Sequence, residues 1–324
     1  MGQENSIEVS TDTVNEEYPF FTFKGKKEFY GIKKDIGGWL KGVYDFLGVP
    51  EEHRKGKKDF TITPRAVVTE PIENILHSAK LSIDGAVKAS GATEAIYFLG
   101  EGDSFREELS TLQKYKGNRD ELEKPLLFDQ LVDYLKKKYK PEVITGYEAD
   151  DALVMKYIEL ENQGVDAVII AVDKDSYGTP VKMYNPQRPQ EGVVDCRGFG
   201  ELYRDDKGKV RGKGRLFKYF QICSQDKIDN YKAHCFSDVK WGDVSAYNAL
   251  KGCKNDKEAF EAMVGVFKKL YPEPKEVEGW RGDTITIDWL YVWQEMIHMA
   301  HMHRVEGDYV DVKAVLGKLG VVYE

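Results

Sequence analysis

The chain has 324 residues, 41% hydrophobic and 31% charged, with a formal net charge of −8. It is long enough for one large α/β domain or two smaller ones. No run approaches the ~18 apolar residues of a membrane span, and the polar N-terminus, MGQENSIEVSTDTVNEEY, carries no signal peptide. The acidic balance alone argues against a nucleic-acid partner, because phosphates are gripped by Lys and Arg. Cys196, Cys223, Cys235 and Cys253 form no CxxC pair, which fits reduced thiols in a cytoplasmic protein.

Residues 1–70 form a poorly defined N-terminal segment. Within it Tyr18–Tyr30 reads as a hairpin turning at Lys24-Gly25, and Gly48–Pro64 as a loop. From Glu70 the pattern sharpens. Ile75, Leu76, Ala79, Ile83 and Val87 share one side of a helix predicted over Ile72–Ala89, and AIYFLG (Ala95–Gly100) is a short apolar strand. A helix over Phe128–Tyr139 follows. Then EVITGY (Glu142–Tyr147) is a strand running into a helix that opens at Glu148 and stops before Gly164. DAVIIAV (Asp166–Val172) is a buried strand. Strands alternating with helices predict a mainly parallel central sheet with helices on both faces. The α/β core is expected over 71–212 and a helical part over 213–324, with helices at Lys213–Cys223, Val244–Lys251, Lys257–Tyr271 and Ile285–His303.

Sites in such sheets form beyond the carboxyl ends of the strands, where this chain concentrates acids. GYEADDALVMKY places Glu148, Asp150 and Asp151 in a first helical turn, where a lone acid commonly serves only the helix dipole. VDKDSYG places Asp173 and Asp175 on one side if the backbone is extended. QDKIDNY places Asp226 and Asp229 a helical turn apart. So many acids share one site only if cations neutralise them. An all-carboxylate set without His or Cys suits Mg²⁺ or Mn²⁺, and two-metal phosphodiester hydrolysis is the reaction that most often uses one.

Charge is uneven along the chain. Arg106, Lys114, Tyr115, Lys116 and Arg119 interleave basic residues with an aromatic, as a phosphate clamp would, or as a solvated amphipathic helix would. Arg204–Lys218 is a second basic stretch. The segment around Lys240 has the pattern of a helix–turn–helix hinged at Gly242, which would offer backbone groups to a DNA phosphate. His298, His301 and His303 in MIHMAHMHR lack the spacing of a zinc site and read as packing or surface histidines. RGFG (Arg197–Gly200) is a loop rather than a phosphate cradle.

Taken in order, SFREELSTLQKYKGNR, GYEADDALVMKY, AVDKDSYG and QDKIDNY resemble the motifs of the 5′-nuclease (flap endonuclease-like) superfamily, in the layout of phage 5′→3′ exonucleases, over roughly residues 70–310. The resemblance implies a PIN-like nuclease core with a helix–three-turn–helix region. It implies two Mg²⁺ or Mn²⁺ ions on Glu148, Asp150, Asp151, Asp173, Asp175, Asp226 and Asp229. Glu101 lies near the family's acid after its second strand, with Asp103 close enough to compete. Lys116 and Arg119 match the basic residues that contact the scissile phosphate. The implied substrate is DNA with 5′ ends or flaps, or an RNA–DNA hybrid during primer removal, in phage replication or recombination, without a small-molecule cofactor or a membrane. The family's first strand ends in a metal-binding Asp, and no such run precedes Ile72 here. On that reading the chain begins after the true first strand, with Asp12 as the substitute ligand. A PIN-type ribonuclease and a catalytically impaired DNA-binding relative are the alternatives.

Overall fold

The computed structural model describes residues 3–10, 27–30, 36–46, 48–54, 56, 61–68, 70–119 and 124–323. In chain order the first elements are β1 (Gln3–Ser10), β2 (Lys27–Tyr30), α1 (Ile36–Phe46), β3 (Thr61–Val68), α2 (Ile72–Ser90), β4 (Phe98–Ser104), α3 (Phe105–Leu109) and α4 (Phe128–Tyr139). Then come β5 (Glu142–Gly146), α5 (Ala149–Asn162), β6 (Ile169–Ile170), β7 (Lys182–Tyr184), β8 (Val193–Asp195), β9 (Glu201–Arg204), β10 (Val210–Lys213) and α6 (Arg215–Cys223). The last are β11 (Gln225–Asp226), β12 (Tyr231–Lys232), α7 (Asp243–Leu250), α8 (Asp256–Leu270), β13 (Lys275–Glu278), β14 (Thr284–Ile287), α9 (Trp289–Ala300) and α10 (Val312–Leu319).

The chain forms two compact units, Met1–Ile83 with Glu123–Tyr139, and Asp84–Leu122 with Lys140–Glu324. These divisions differ from those expected at residues 70 and 212. In the first unit an antiparallel sheet runs in the order β2-β1-β3. Leu40 and Tyr44 of α1 are buried together with Val49. Residues 18–26 of the expected hairpin lie outside the described residues, as does Asp12; Lys27–Tyr30 pairs with β1 instead.

The second unit holds the larger core. α8 buries Phe260, Met263, Val264, Phe267 and Leu270, a helical repeat of apolar positions. Phe267 stacks on Trp293 of α9 at 5.3 Å, and Phe260 meets it at 5.5 Å. Side-chain caps start these helices: Asn255 accepts from Glu258 N at 3.0 Å, Asp288 from Tyr291 N at 2.7 Å, and Asp311 from Ala314 N at 3.0 Å. The cap at Asp288 explains why the helix expected over Ile285–His303 divides. Thr284–Ile287 is β-branched and alternating, pairs with β13, and ends where Asp288 opens α9. Residues on both sides of position 212 share this core, from Val154 and Met183 to Phe217 and Trp293. That sharing is why 213–324 is not a separate body.

The fold is mixed α/β, but the expected continuous parallel sheet is absent from the described residues. Parallel pairing is confined to β4 with β5 and β6 with β7, and β7 then pairs antiparallel with β8. The ladder is short for local reasons. β4 shifts register between Gly100 and Ser104, with Gly102 at φ +77°. β6 keeps only two residues before the chain turns at Asp173. No helix among the described residues is long and apolar enough to cross a membrane.

Candidate metal centre

Gly146, at φ +77°, turns the chain out of β5, and Glu148 caps α5 in a capping box with Asp151. The two aspartates that follow point to different surroundings. Asp151 is buried and takes a two-pronged ion pair from Arg106, at 2.6 and 2.8 Å, plus His303 N at 2.9 Å. Arg106 is itself 2% exposed. Its remaining donors go to Glu148 Oε2 at 3.1 Å, Met299 O at 3.2 Å and His301 O at 2.7 Å. All five guanidinium N–H groups are thereby used. Burial opposes the charge on both partners. Their mutual hydrogen bonds and attraction prevail, holding Arg106 above and Asp151 below the ordinary value. Arg106, expected from sequence to touch DNA, is an internal counter-ion here.

Asp150 has a different environment. Burial, with Asp173 and Glu148 nearby, pushes its carboxyl up to about 6. Asp173 does not lie on an extended strand as expected. It caps a 3-10 turn over Lys174–Gly178, accepting Asp175 N at 2.8 Å. Asp175 accepts Lys174 Nζ at 2.7 Å and the Gln221 amide, yet burial, seconded by Asp173 and Asp226, raises it to about 7. Asp226 and Asp229 are not on a helix either. Asp226 ends β11 and accepts Ile228 N at 2.7 Å and Asp229 N at 3.1 Å, so its side chain shapes the turn into β12. Burial works against the Asp226 charge, but the Lys174 ammonium holds that carboxyl below its usual range. Burial raises Asp229, which faces Arg119 at 3.0 Å and Lys116 at 3.8 Å.

Ligand oxygens of Asp175, Asp226 and Asp229 lie within 4.8 Å of one another. With Glu148, Asp150, Asp151 and Asp173 these make seven carboxylates against four cations, Arg106, Lys116, Arg119 and Lys174. The excess of negative charge, the raised Asp150 and Asp175, and the all-oxygen donor set together fit hard divalent cations.

The basic loop is tied to this cluster through its backbone. Lys116, at φ +55°, donates its N–H to Asp229 O at 3.0 Å. Asn118 reaches Lys227 O at 2.7 Å, and Asn230 reaches Lys114 O at 2.9 Å. The Lys116 ammonium bonds Glu148. Tyr115 is buried and donates to Glu148 Oε2 at 3.1 Å, so its hydroxyl orients an acid and its ring is no open stacking surface. Lys114 lies 3.9 Å from Glu107 and 5.8 Å from the Trp280 ring centre. Glu101 is exposed on β4, one residue past Gly100, whose Cβ position would stand 3.4 Å from Ala149 N at the start of α5. Lys240 is exposed and Gly242 starts α7, away from the acids' hydrogen-bond network.

Three contributors escape a reading of the sequence. Lys174 sits inside the DKD motif as the counter-ion of Asp175 and Asp226, and its position between two acids is the one available signal. Gln221 reaches Asp175 from α6 without any motif. The last turn of α9 and the segment after it brace Arg106 and Asp151 through main-chain groups, which leave no mark in side-chain spacing. His301 holds that segment to Asp308 at 3.0 Å and to Lys218 at 3.1 Å. Burial lowers Lys218 to about 8 and His301 to about 4.

No protein-family model matches the sequence, and no curated protein matches it. Among solved structures, the chain is similar to a T5 5′-exonuclease with bound zinc ions, at 20% identity, TM-score 0.43, covering 69% of this chain and 79% of that one. It is also similar to a bacteriophage T5 flap endonuclease in complex with DNA and metal ions, at 20% identity, TM-score 0.45, covering 75% and 85%.

Proposed function

We propose that the chain is a metal-dependent 5′→3′ nuclease acting on DNA, an exonuclease or flap endonuclease that hydrolyses phosphodiester bonds near a 5′ end. The observation that carries this reading is the surplus of carboxylates over cations at one cluster, with Lys116 and Arg119 anchored on its edge. Asp150, Asp173, Asp175, Asp226 and Asp229 would hold two Mg²⁺ or Mn²⁺ ions, with Glu148 and Glu101 beside them. Bound ions of this kind supply an activated water and charge stabilisation at the leaving oxygen.

The chain's own residues do the rest. Asp151, fixed by Arg106, sets the first turn of α5 and so the direction of Asp150. Tyr115 and Lys116 orient Glu148. With the acids' charge met by cations, the Lys116 and Arg119 side chains would be available to the scissile phosphate, where charge-assisted bonds count most. Lys114, Lys240 and the start of α7 at Gly242 would grip the duplex backbone as part of a helix–three-turn–helix contact. The role we propose with it, on the motif resemblance, is in phage replication or recombination, including removal of RNA primers.

The test is cleavage of a 5′-labelled flap duplex with Mg²⁺ and with EDTA. Mg²⁺-dependent release of short 5′ fragments is the expected result. Cleavage of single-stranded RNA alone would favour a PIN-type ribonuclease, and tight binding without cleavage would favour an impaired relative.

A further inference from the structure

A recess of about 540 Å³ opens beside the acid cluster, lined by Gln113, Lys114, Gly117, Asn118, Asn230 and Trp280 among others. Its walls are the walls of the metal centre, one residue further on. Lys116 and Arg119 face Glu148 and Asp229, while Gly117 and Asn118 between them line the recess. Asp229 belongs to the acids, and its neighbour Asn230 lines the recess. Consecutive Cα atoms are ~3.8 Å apart, so on both walls the cluster and the recess are neighbours along the chain.

The recess has a rigid aromatic side. Trp280 sits at the tip of the β13–β14 hairpin and donates its indole N–H to Ser110 O at 2.7 Å and its backbone N–H to Thr111 O at 3.1 Å. Arg281 stacks on the ring at 4.3 Å and donates to Ser110 O and Glu107 O, each at 2.7 Å. The tip approaches so closely that a Cβ on Gly279 would stand 2.6 Å from Thr111 O. A half-buried ring held this way is already ordered for stacking.

The polar side offers acceptors. Asn118 and Asn230 each use the amide nitrogen on a backbone carbonyl, which leaves the amide oxygen as acceptor. Gln113 Oε1 is buried with no hydrogen-bond partner. A buried acceptor of that kind is costly until a donor reaches it, and its residue lies on the wall of the recess. Amide acceptors beside an aromatic ring match a nucleobase carrying an exocyclic amino group.

We infer that this recess receives an unpaired base of the substrate strand, adjacent to the phosphate held by Lys116 and Arg119, and prefers a base with an exocyclic amino group, adenine, cytosine or guanine, to thymine there. The inference rests on the nuclease reading above. The test uses the full chain and flap substrates identical except at the nucleotides flanking the cut, which carry adenine, thymine or an abasic sugar. At one flanking position the abasic substrate should raise KM by ~10-fold, the scale of one base–aromatic stack, with thymine in between. Gln113→Leu should narrow the adenine–thymine difference while the abasic penalty remains. Equal KM for all three substrates at every position, with cleavage intact, would overturn the inference alone. Absence of Mg²⁺-dependent cleavage on every substrate would overturn the nuclease reading and this inference with it.

Discussion

Asp150 and Asp151 are neighbours in sequence and opposites in electrostatics, and the two sides of the site divide between them. On the Asp151 side, Arg106 matches the carboxylate with two short bonds, and main-chain groups complete both partners. That side is a closed ion pair inside the protein. On the Asp150 side, Asp173, Asp175, Asp226 and Asp229 crowd together with too little positive charge, and two carboxyls are raised to about 6 and about 7. The difference separates two uses of a buried acid. One holds the scaffold, and the other leaves its charge unsatisfied, as the proposed cation site requires.

The largest effect that would break this comparison is on the open side. Asp175→Asn should lower single-turnover cleavage by on the order of 10³-fold, because cation stabilisation of the reacting phosphate amounts to several kcal/mol. Duplex binding, read by fluorescence anisotropy in EDTA, should stay equal or tighten, since a repulsive carboxylate is lost. Unchanged turnover would remove Asp175 from the centre.

On the closed side the effect should fall on stability. Arg106→Met leaves Asp151 buried and unpaired, which costs about 3–5 kcal/mol. Urea unfolding measures this. Pairing the change with Asp151→Leu should recover part of the loss, because the uncompensated charge is then gone. A loss below about 1 kcal/mol for Arg106→Met, the scale of an exposed ion pair, would mean that the side is not closed.

Between the two sides stands the basic loop. Lys116→Ala and Arg119→Ala should each lower kcat by ~10²–10³-fold, as removal of a donor to developing charge does. Mn²⁺ affinity, measured by calorimetry, should change far less. If cleavage is normal in both variants, the loop is only a brace between Glu148 and Asp229.

Acidity gives the smallest and most graded effect. With folded values raised to about 6 and about 7 against the ordinary carboxylate near 3.8, Asp150 and Asp175 hold protons in the folded chain that the unfolded chain has lost. The metal-free fold therefore loses stability as pH rises from about 4 through about 7. Cation affinity runs the other way and falls as pH drops through 7 to 6, because the ligands must be deprotonated. Thermal melts with and without Mg²⁺ between pH 5.5 and 8 should show the stabilisation by Mg²⁺ growing with pH. A flat Mg²⁺ effect would place the ion elsewhere.

Local signals in the sequence were enough to find most of what positions the site. The α5 helix was legible because Glu148 caps it and Gly164 closes it, and α8 because its apolar repeat is regular. DKD and QDKIDN were legible as acid clusters but not as turns. Asp173 and Asp226 cap their own backbones, and such short-range bonds compete with the strand and the helix that spacing suggested. The pairing of Arg106 with Asp151 spans 45 positions and its bond to Met299 spans 193. Nothing local announces either, which is why Arg106 read as a surface cation. The parallel sheet failed for a related reason: apolar runs marked β4 and β6, but where each leaves the ladder depends on Gly102 and on the Asp173 turn.

The most direct measurement is a crystal soaked in Mn²⁺ and read by anomalous scattering. The expected result is density among Asp150, Asp173, Asp175, Asp226 and Asp229, with the Lys174 ammonium displaced and the Arg106–Asp151 pair intact. Density at Asp151 with Arg106 displaced, or none near these acids at saturating Mn²⁺, would contradict the account.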